Sequence, residues 1–97
     1  MAEINEIIHQ PARLKIMAGL FGLPEGSEAD FTFLRDHLKL TDGNLGAHLE
    51  KLEAAGYVLV RKVFIKRRPK TFVRLSRPGR RAFEDYLEVL KGIMGPM

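Results

Sequence analysis

The pattern of apolar residues changes from helical to strand-like at Gly56, and this change limits the folds that the chain can adopt. Before it, leucines recur at spacings of four and three residues, at Leu45, Leu49 and Leu52. This spacing places them along one side of a helix. Thr41 can cap the start of that helix, and Gly56 suits the left-handed position after its end. The pattern therefore predicts a helix from Thr41 to about Ala55.

The residues after Gly56 predict two antiparallel strands joined by a basic turn. Residues 57–65 are rich in β-branched and aromatic side chains, and the run from Thr71 to Leu75 has the same character. Between them lies the turn-like segment 66–70, with the sequence Lys-Arg-Arg-Pro-Lys. Two such runs separated by a short turn are typical of a β-hairpin.

Three further helices are expected beside the helix and hairpin around Gly56. The first begins at Pro11, because proline is favoured at the first position of a helix. Residues 23–29 are expected to be a loop, and a second helix follows it. Ser76 can cap a last helix. The expected fold is mostly α with a small β-hairpin, an α+β architecture, in one domain that spans residues 1–97.

Basic residues are concentrated in the predicted hairpin and the residues that follow it. Residues 57–81 contain ten Lys or Arg and no Asp or Glu, although the whole chain has a formal net charge of only +4. Residues 1–56 contain five basic and nine acidic side chains, and residues 82–97 contain one basic and three acidic. Such a cluster favours a polyanionic partner, because contacts to phosphates release the counterions condensed on a nucleic acid.

Composition and motif content exclude several other classes of protein. There is no cysteine, which excludes a disulfide framework, a thiolate nucleophile and a cysteine-based metal site. The start of the chain lacks the features of a signal peptide, and no apolar run approaches the ~20 residues of a membrane span. The three histidines lack metal-ligand spacing, and there is no phosphate-binding glycine loop or nucleophile motif. We therefore expect a small cytoplasmic domain without a cofactor, metal or membrane partner, and not an enzyme.

The outer side of the predicted helix 41–55 carries small and polar side chains. Opposite the leucines lie Gly43, Asn44, Gly46, Ala47, Glu50 and Lys51. Each interior glycine costs ~1 kcal/mol of helix stability relative to alanine, so small residues here favour close approach of another surface over a merely solvated face. Only Lys39 and Leu40 separate this helix from the preceding one. Two helices so joined form a helix-turn-helix, whose second helix enters the DNA major groove.

Four segments carry a resemblance to a known family. PARLKIM covers residues 11–17 and LKLTDGNLGAHLEKLEAAGYV covers residues 38–58, followed by RRPKT at 67–71 and LSRPGR at 75–80. Together they resemble the winged-helix transcriptional regulators of the MarR and ArsR type, in particular compact single-domain members. The resemblance extends from residue 8 to about residue 93.

This resemblance implies a homodimer that binds a near-palindromic operator, with the third helix in the major groove and the wing on the backbone or minor groove. The helix-turn-helix would span about residues 30–55 and the wing about 57–75. The positions that match the family's recognition helix are Thr41, Asn44, Ala47, His48 and Lys51. Those that match its wing are Lys66, Arg67, Arg68 and Lys70.

In such regulators the terminal helices hold the dimer together, which here means about residues 3–22 and 77–94. The apolar residues implicated are Ile4, Ile7, Ile8, Phe83, Tyr86, Leu87, Leu90 and Met94. The chain is too short to build the extra helices that surround the ligand cleft of larger MarR proteins. The sequence therefore leaves open whether an effector binds.

Two other binding functions are compatible with the sequence. Winged helices also serve as protein-interaction modules, because a fold does not determine a function, and Phe64 or Phe72 of the hairpin could expose an apolar ring. RNA binding is a weaker alternative, since the basic hairpin lacks a pair of clearly exposed aromatic residues for stacking.

Overall fold

The computed structural model describes residues 3–95 and contains four helices and three strands. The elements are α1 (Pro11–Phe21), β1 (Ala29–Asp30), α2 (Phe31–Leu38), α3 (Asp42–Ala54), β2 (Val58–Ile65), β3 (Arg68–Leu75) and α4 (Arg77–Met94). The strands form one antiparallel sheet in the order β1-β3-β2. This confirms the prediction of a mostly helical fold with a small hairpin. No helix within the described residues is long and apolar enough to cross a bilayer.

Polar side chains cap the starts of α2, α3 and α4, and the caps at Thr41 and Ser76 are the predicted ones. The side-chain oxygens of Asp30, Thr41 and Ser76 each accept a hydrogen bond from a first-turn backbone N–H of α2, α3 and α4, at 2.7, 3.0 and 2.9 Å. A cap of this kind stabilises a helix by about 1 kcal/mol. Between α2 and α3, Lys39 adopts a left-handed conformation with φ of 57°, which turns the chain sharply and forms the helix-turn-helix.

The structure corrects two predictions for the sheet. Residues 23–29 are not entirely a loop, because Ala29 begins the short strand β1 and pairs with Val73 of β3. Two residues are too few to show a period of two, so the pattern could not reveal this strand. The hairpin turn is also shorter than the predicted segment 66–70: it consists of Lys66 and Arg67 alone, and Ile65 already pairs with Arg68.

Three residues predicted for a dimer interface lie instead in the core of their own chain. Ile8, Phe83 and Tyr86 are at most 4% exposed. The hydroxyl of Tyr86 forms a hydrogen bond of 2.9 Å with Nδ1 of His9, and the ring of Phe83 lies 5.0 Å from that of Phe21. These three are therefore not available to a partner. An apolar stripe shows that a helix face is buried but not which chain buries it. The pattern therefore could not distinguish core residues from residues of a dimer interface.

The start of α4 is bound tightly to the segment that joins α3 to β2. The Ser76 hydroxyl donates to the carbonyl of Gly56 at 2.6 Å, and the backbone N–H of Ser76 donates to the carbonyl of Tyr57 at 3.0 Å. Gly79, in the first turn of α4, lies so close that a Cβ there would be 2.0 Å from the Tyr57 carbonyl oxygen. Only glycine permits this contact.

We expect Gly79→Ala to destabilise the domain by about 3 kcal/mol, at the upper end of the cost of overpacking, because the obstructing atom is backbone and has little freedom to move. Urea unfolding followed by circular dichroism measures this as a lower transition midpoint.

Gly92→Ala on the same helix is the matched control. A Cβ at Gly92 meets nothing within 4 Å, so the alanine should stabilise α4 by about 0.5–1 kcal/mol. Equal effects of the two substitutions would show that the contact with Tyr57 does not restrict position 79.

Candidate nucleic-acid interface

The inner face of α3 is apolar and buried, whereas its outer face is exposed and carries small and polar residues. Its three predicted leucines are buried, while Asn44, Ala47 and Lys51 are exposed on the outer side. A Cβ added at Gly43 or Gly46 would meet nothing within 4 Å, so packing inside the protein does not require either glycine. Packing among residues 3–95 therefore does not offset their cost to helix stability. A surface that another molecule approaches closely would account for them.

The start of α3 is already occupied by groups of the protein itself. The Oγ1 of Thr41 accepts the capping hydrogen bond from the N–H of Asn44, although its own hydroxyl proton can still be donated. Asp42 accepts a hydrogen bond of 2.9 Å from Arg35. Hydrogen bonds to Asp36 and Asp42 raise the pKa of Arg35 above its usual value.

His48 lies on the side of α3 that faces α1, and it is half-buried. Its Nδ1 is 3.2 Å from an Nη1 of Arg13 on α1. Burial, followed by the positive charges of Arg13 and Lys51, lowers the pKa of His48 below its ordinary value. Within residues 3–95, no three His, Asp or Glu side chains form a group that could hold a metal ion.

The tip of the β2–β3 hairpin exposes adjacent cations in an unfavourable backbone conformation. Lys66 and Arg67 have φ values of 50° and 64°, the type I′ pattern that favours Asn-Gly. A left-handed conformation costs a residue other than glycine about 1–2 kcal/mol. Lys66, Arg67 and Arg68 are exposed, and none forms an ion pair among the described residues. Such local strain is typical of functional positions.

Acidic residues before α2 neutralise part of the basic segment. Glu28 accepts two hydrogen bonds from Arg61, at 2.8 and 2.7 Å, and the pKa of its carboxyl is lowered chiefly by that contact. Asp30 lies 3.3 Å from Nζ of Lys70, which therefore is less free for an external anion than the tip cations. The sequence did not reveal these pairs, because 33 and 40 residues separate the partners.

A groove of about 470 Å³ separates α3 from the hairpin. Gly46, Glu50 and Glu53 line it from α3, and Lys62 and Thr71 line it from the strands. The two hairpin phenylalanines differ. Phe72 is half-buried beneath the Arg61 guanidinium, 4.8 Å from its ring centre, whereas Phe64 is 78% exposed near the tip.

A helix-turn-helix followed directly by a projecting basic hairpin defines a winged helix-turn-helix protein. The family model described as a winged helix DNA-binding domain matches residues 12–94. The chain belongs to this family, and from here we call the β2–β3 hairpin the wing and α3 the recognition helix.

Several known proteins are similar to this chain along most of its length. An uncharacterised protein of Methanocaldococcus jannaschii is 42% identical over 87 residues, which cover 89% of this chain and 91% of that protein. The structure of a transcriptional regulator homologue from Pyrococcus horikoshii OT3 superimposes with a TM-score of 0.82 at 34% identity, covering 93% of this chain and 86% of that one. HlyU from Vibrio cholerae gives a TM-score of 0.66 at 26% identity and covers 88% and 84%.

These findings confirm the resemblance to winged-helix regulators and the expectation that the chain is not an enzyme. The structure brings the recognition-helix positions onto one side of α3 and separates them from the wing cations by the groove. Sequence reasoning did not identify Arg13 as a neighbour of His48, because the two residues are 35 positions apart in the chain.

We expect the double substitution Lys66→Asn and Arg67→Gly to stabilise the domain by about 1 kcal/mol, because it relieves two left-handed residues. The same variant should bind DNA more weakly, since it removes two exposed cations. Urea unfolding and fluorescence titration of a labelled duplex measure the two effects.

Lys66→Gln with Arg67→Gln is the control, because it removes the charges but leaves the backbone conformation in place. It should lose the same DNA affinity without gaining stability. A gain of stability in this control, or none in the Asn-Gly variant, would contradict the proposed backbone strain.

Proposed function

We propose that this protein is a sequence-specific transcriptional regulator that binds a near-palindromic operator as a homodimer. In this proposal the recognition helix occupies the major groove, and the wing contacts the backbone or minor groove. Family membership already makes it a winged-helix DNA-binding protein. The proposal adds to this membership a near-palindromic operator, binding to a specific sequence and a homodimer.

The observation that carries the proposal is the wing tip. Lys66 and Arg67 stay in a conformation that disfavours them, where Asn-Gly would fold more easily. Positions that contradict local preference without a compensating contact inside the protein are expected at functional sites. An anionic backbone in front of the tip compensates for both the strain and the mutual repulsion of the cations.

Apolar side chains at the end of α4 support the dimer. Leu87 and Leu90 are half-buried, and Ile93 and Met94 are 68% and 70% exposed. Ile4 and Ile7 add half-buried and exposed apolar surface, so five of the eight predicted interface residues stay candidates: Ile4, Ile7, Leu87, Leu90 and Met94. Ile93 extends this stripe. A second copy that packs α4 against α4 would cover it, as a/d-type spacing favours.

Exposed apolar residues on the wing favour a second candidate function, a protein-interaction module. Phe64 is 78% exposed, and Leu59 and Ile65 are both 44% exposed. Apolar residues that are scattered singly on a surface are normal, whereas a protein-binding wing would need a contiguous patch. The cations between and beside these residues favour the DNA interpretation.

Selection of bound duplexes from a random pool, followed by sequencing, tests the proposal. A two-fold dimer predicts an inverted repeat whose half-sites lie about 34–36 Å apart, one helical turn. Enrichment without symmetry would contradict the dimer. Absence of binding to any duplex below ~100 μM at low salt would favour the interaction module, because even non-specific complexes form at 10⁻⁴–10⁻⁶ M.

We expect Arg67→Ala with Arg68→Ala to weaken binding to all duplexes similarly and to reduce the salt slope by about one unit for each lost phosphate contact.

Asn44→Ala should instead change the preferred sequence, at a cost of ~1–3 kcal/mol if Asn44 contacts a base edge. Fluorescence titrations over a range of salt concentrations measure both effects.

Arg77→Ala with Arg81→Ala removes two exposed cations from the start of α4, at the other end of β3 from the wing tip. An eight-residue strand spans about 26 Å, so these arginines should not reach the same DNA. A salt slope reduced equally by this control would show that the wing variant acts through net charge alone.

We expect Leu90→Asp with Ile93→Asp to convert a dimer into a folded monomer, because two carboxylates would enter an apolar helix–helix contact. Sedimentation at several concentrations measures the change in mass. Leu59→Asp, an equally apolar-to-acidic substitution on the wing, should leave the mass unchanged. A wild-type protein that stays monomeric at ~100 μM would contradict the proposed dimer.

A further inference from the structure

Three residues on the α1 side of α3 form a cluster of basic side chains, which we call the α1-side cluster: Arg13, His48 and Lys51. Arg13 is half-buried and held in place, since its Nε donates a hydrogen bond to the carbonyl of Ile7 and its Nη1 lies 3.2 Å from Nδ1 of His48. Lys51 follows His48 by three residues, on the same side of the helix.

The contact with Arg13 determines which nitrogen of His48 carries the proton. A guanidinium only donates hydrogen bonds, so Nδ1 of His48 must accept and the ring proton lies on Nε2. His48 is neutral near pH 7, because burial and the charges of Arg13 and Lys51 lower its pKa. The cluster thus presents the Nε2–H of His48, the remaining N–H groups of Arg13 and the ammonium of Lys51 as donors.

The cluster has no anion of its own. Among residues 3–95, the ion pairs of Arg61, Lys70 and Arg80 use Glu28, Asp30 and Glu25, and none involves Arg13 or Lys51. Two cations that form no ion pair among the described residues, together with the neutral donor His48, are suited to bind an external anion.

The arrangement of α3 shows where such an anion would come from. Gly46, Glu50 and Glu53 recur at i, i+4 and i+7 on the side of the groove and the wing, whereas Asn44, His48 and Lys51 recur with the same spacing on the side of α1. A helix ~10–12 Å across fills a major groove ~12 Å wide, and a phosphate backbone runs along each side of it. The wing lies on the groove side of α3, so the backbone on that side is the one within its reach.

We propose that the α1-side cluster binds a backbone phosphate of the other DNA strand, on the side of the recognition helix away from the wing. This inference rests on the proposed function and extends the DNA-contacting surface to α1, outside the helix-turn-helix and the wing. Arg13 is the anchor of the site, because Ile7 holds its Nε and His48 holds its Nη1, which leaves its other N–H groups for the phosphate.

A phosphate bound here also changes the protonation of His48. The approaching anion offsets the repulsion from Arg13 and Lys51 and favours the charged imidazole, so its pKa rises in the complex. His48 then takes up a proton on binding, and the affinity increases as the pH is lowered below neutral. In that protonated state Arg13 donates to the phosphate instead of to Nδ1.

Salt-dependent titration of wild-type protein, Arg13→Gln and Lys15→Gln with one selected duplex tests the proposal. Lys15 is exposed on α1, two residues along and thus on the opposite side of the helix, and it loses the same charge. We expect the salt slope to fall by about one unit for Arg13→Gln and to stay at the wild-type value for Lys15→Gln. Arg13→Lys, which keeps the charge, should retain the wild-type slope.

A structural role for Arg13 gives a different result. If Arg13 only holds α1 against α3, Arg13→Gln lowers the unfolding midpoint while the folded variant keeps the wild-type salt slope, and this outcome overturns the inference. Equal losses of slope in Arg13→Gln and Lys15→Gln overturn it as well. If the wild-type protein itself binds no duplex at low salt, the proposed function fails rather than the inference about α1.

His48→Gln supplies an independent readout of the same site. Glutamine can still donate a hydrogen bond but does not titrate, so the increase of affinity between pH 7.5 and pH 5.5 should be smaller than in the wild-type protein. An identical pH dependence in the two proteins would show that no phosphate approaches His48.

Discussion

The contact between the first turn of α4 and the residues that join α3 to β2 determines the arrangement of the whole domain. The recognition helix ends there, the wing begins and ends there, and the last helix leaves from the same place. Ser76 satisfies the carbonyl of Gly56 and caps α4 at once. Gly79 permits the backbones to meet, since any side chain would collide with the Tyr57 carbonyl. The angle between wing, recognition helix and α4 thus depends on two small residues, Ser76 and Gly79, at one junction.

Positive charge in this protein is concentrated on the wing and the start of α4, and carboxylates neutralise part of it. The ten cations of residues 57–81 do not act alike. Arg61, Lys70 and Arg80 are paired with carboxylates from the segment before α2. These ion pairs hold that segment against the wing strands and the start of α4. The unpaired cations of the wing tip and the donors beside His48 lie on opposite sides of the recognition helix. A duplex would therefore meet positive groups on both backbones of one major groove.

Most of the candidate site could be predicted from the sequence, because its residues lie on two local elements. Asn44 and Lys51 follow from helical periodicity, and the wing cations follow from a strand-turn-strand pattern. The roles of Lys70 and His48 could not be predicted fully, since Asp30 and Arg13 reach them from segments distant in the chain. The positive φ angles of Lys66 and Arg67 could not be predicted either, because this turn has neither the Gly nor the Asn that usually marks such a conformation.

The sequence by itself determined the four helices, the caps at Thr41 and Ser76 and the presence of the hairpin, because capping and apolar periodicity act between residues a few positions apart. It also determined the sign and place of the charge. Only the tertiary structure decided which apolar residues belong to the core and which stay free for a partner: Ile8, Phe83 and Tyr86 went to the core, while Ile93 and Met94 remained exposed. It likewise decided which cations are neutralised. Both outcomes depend on contacts between distant segments, whose geometry is set by packing and not by any local pattern.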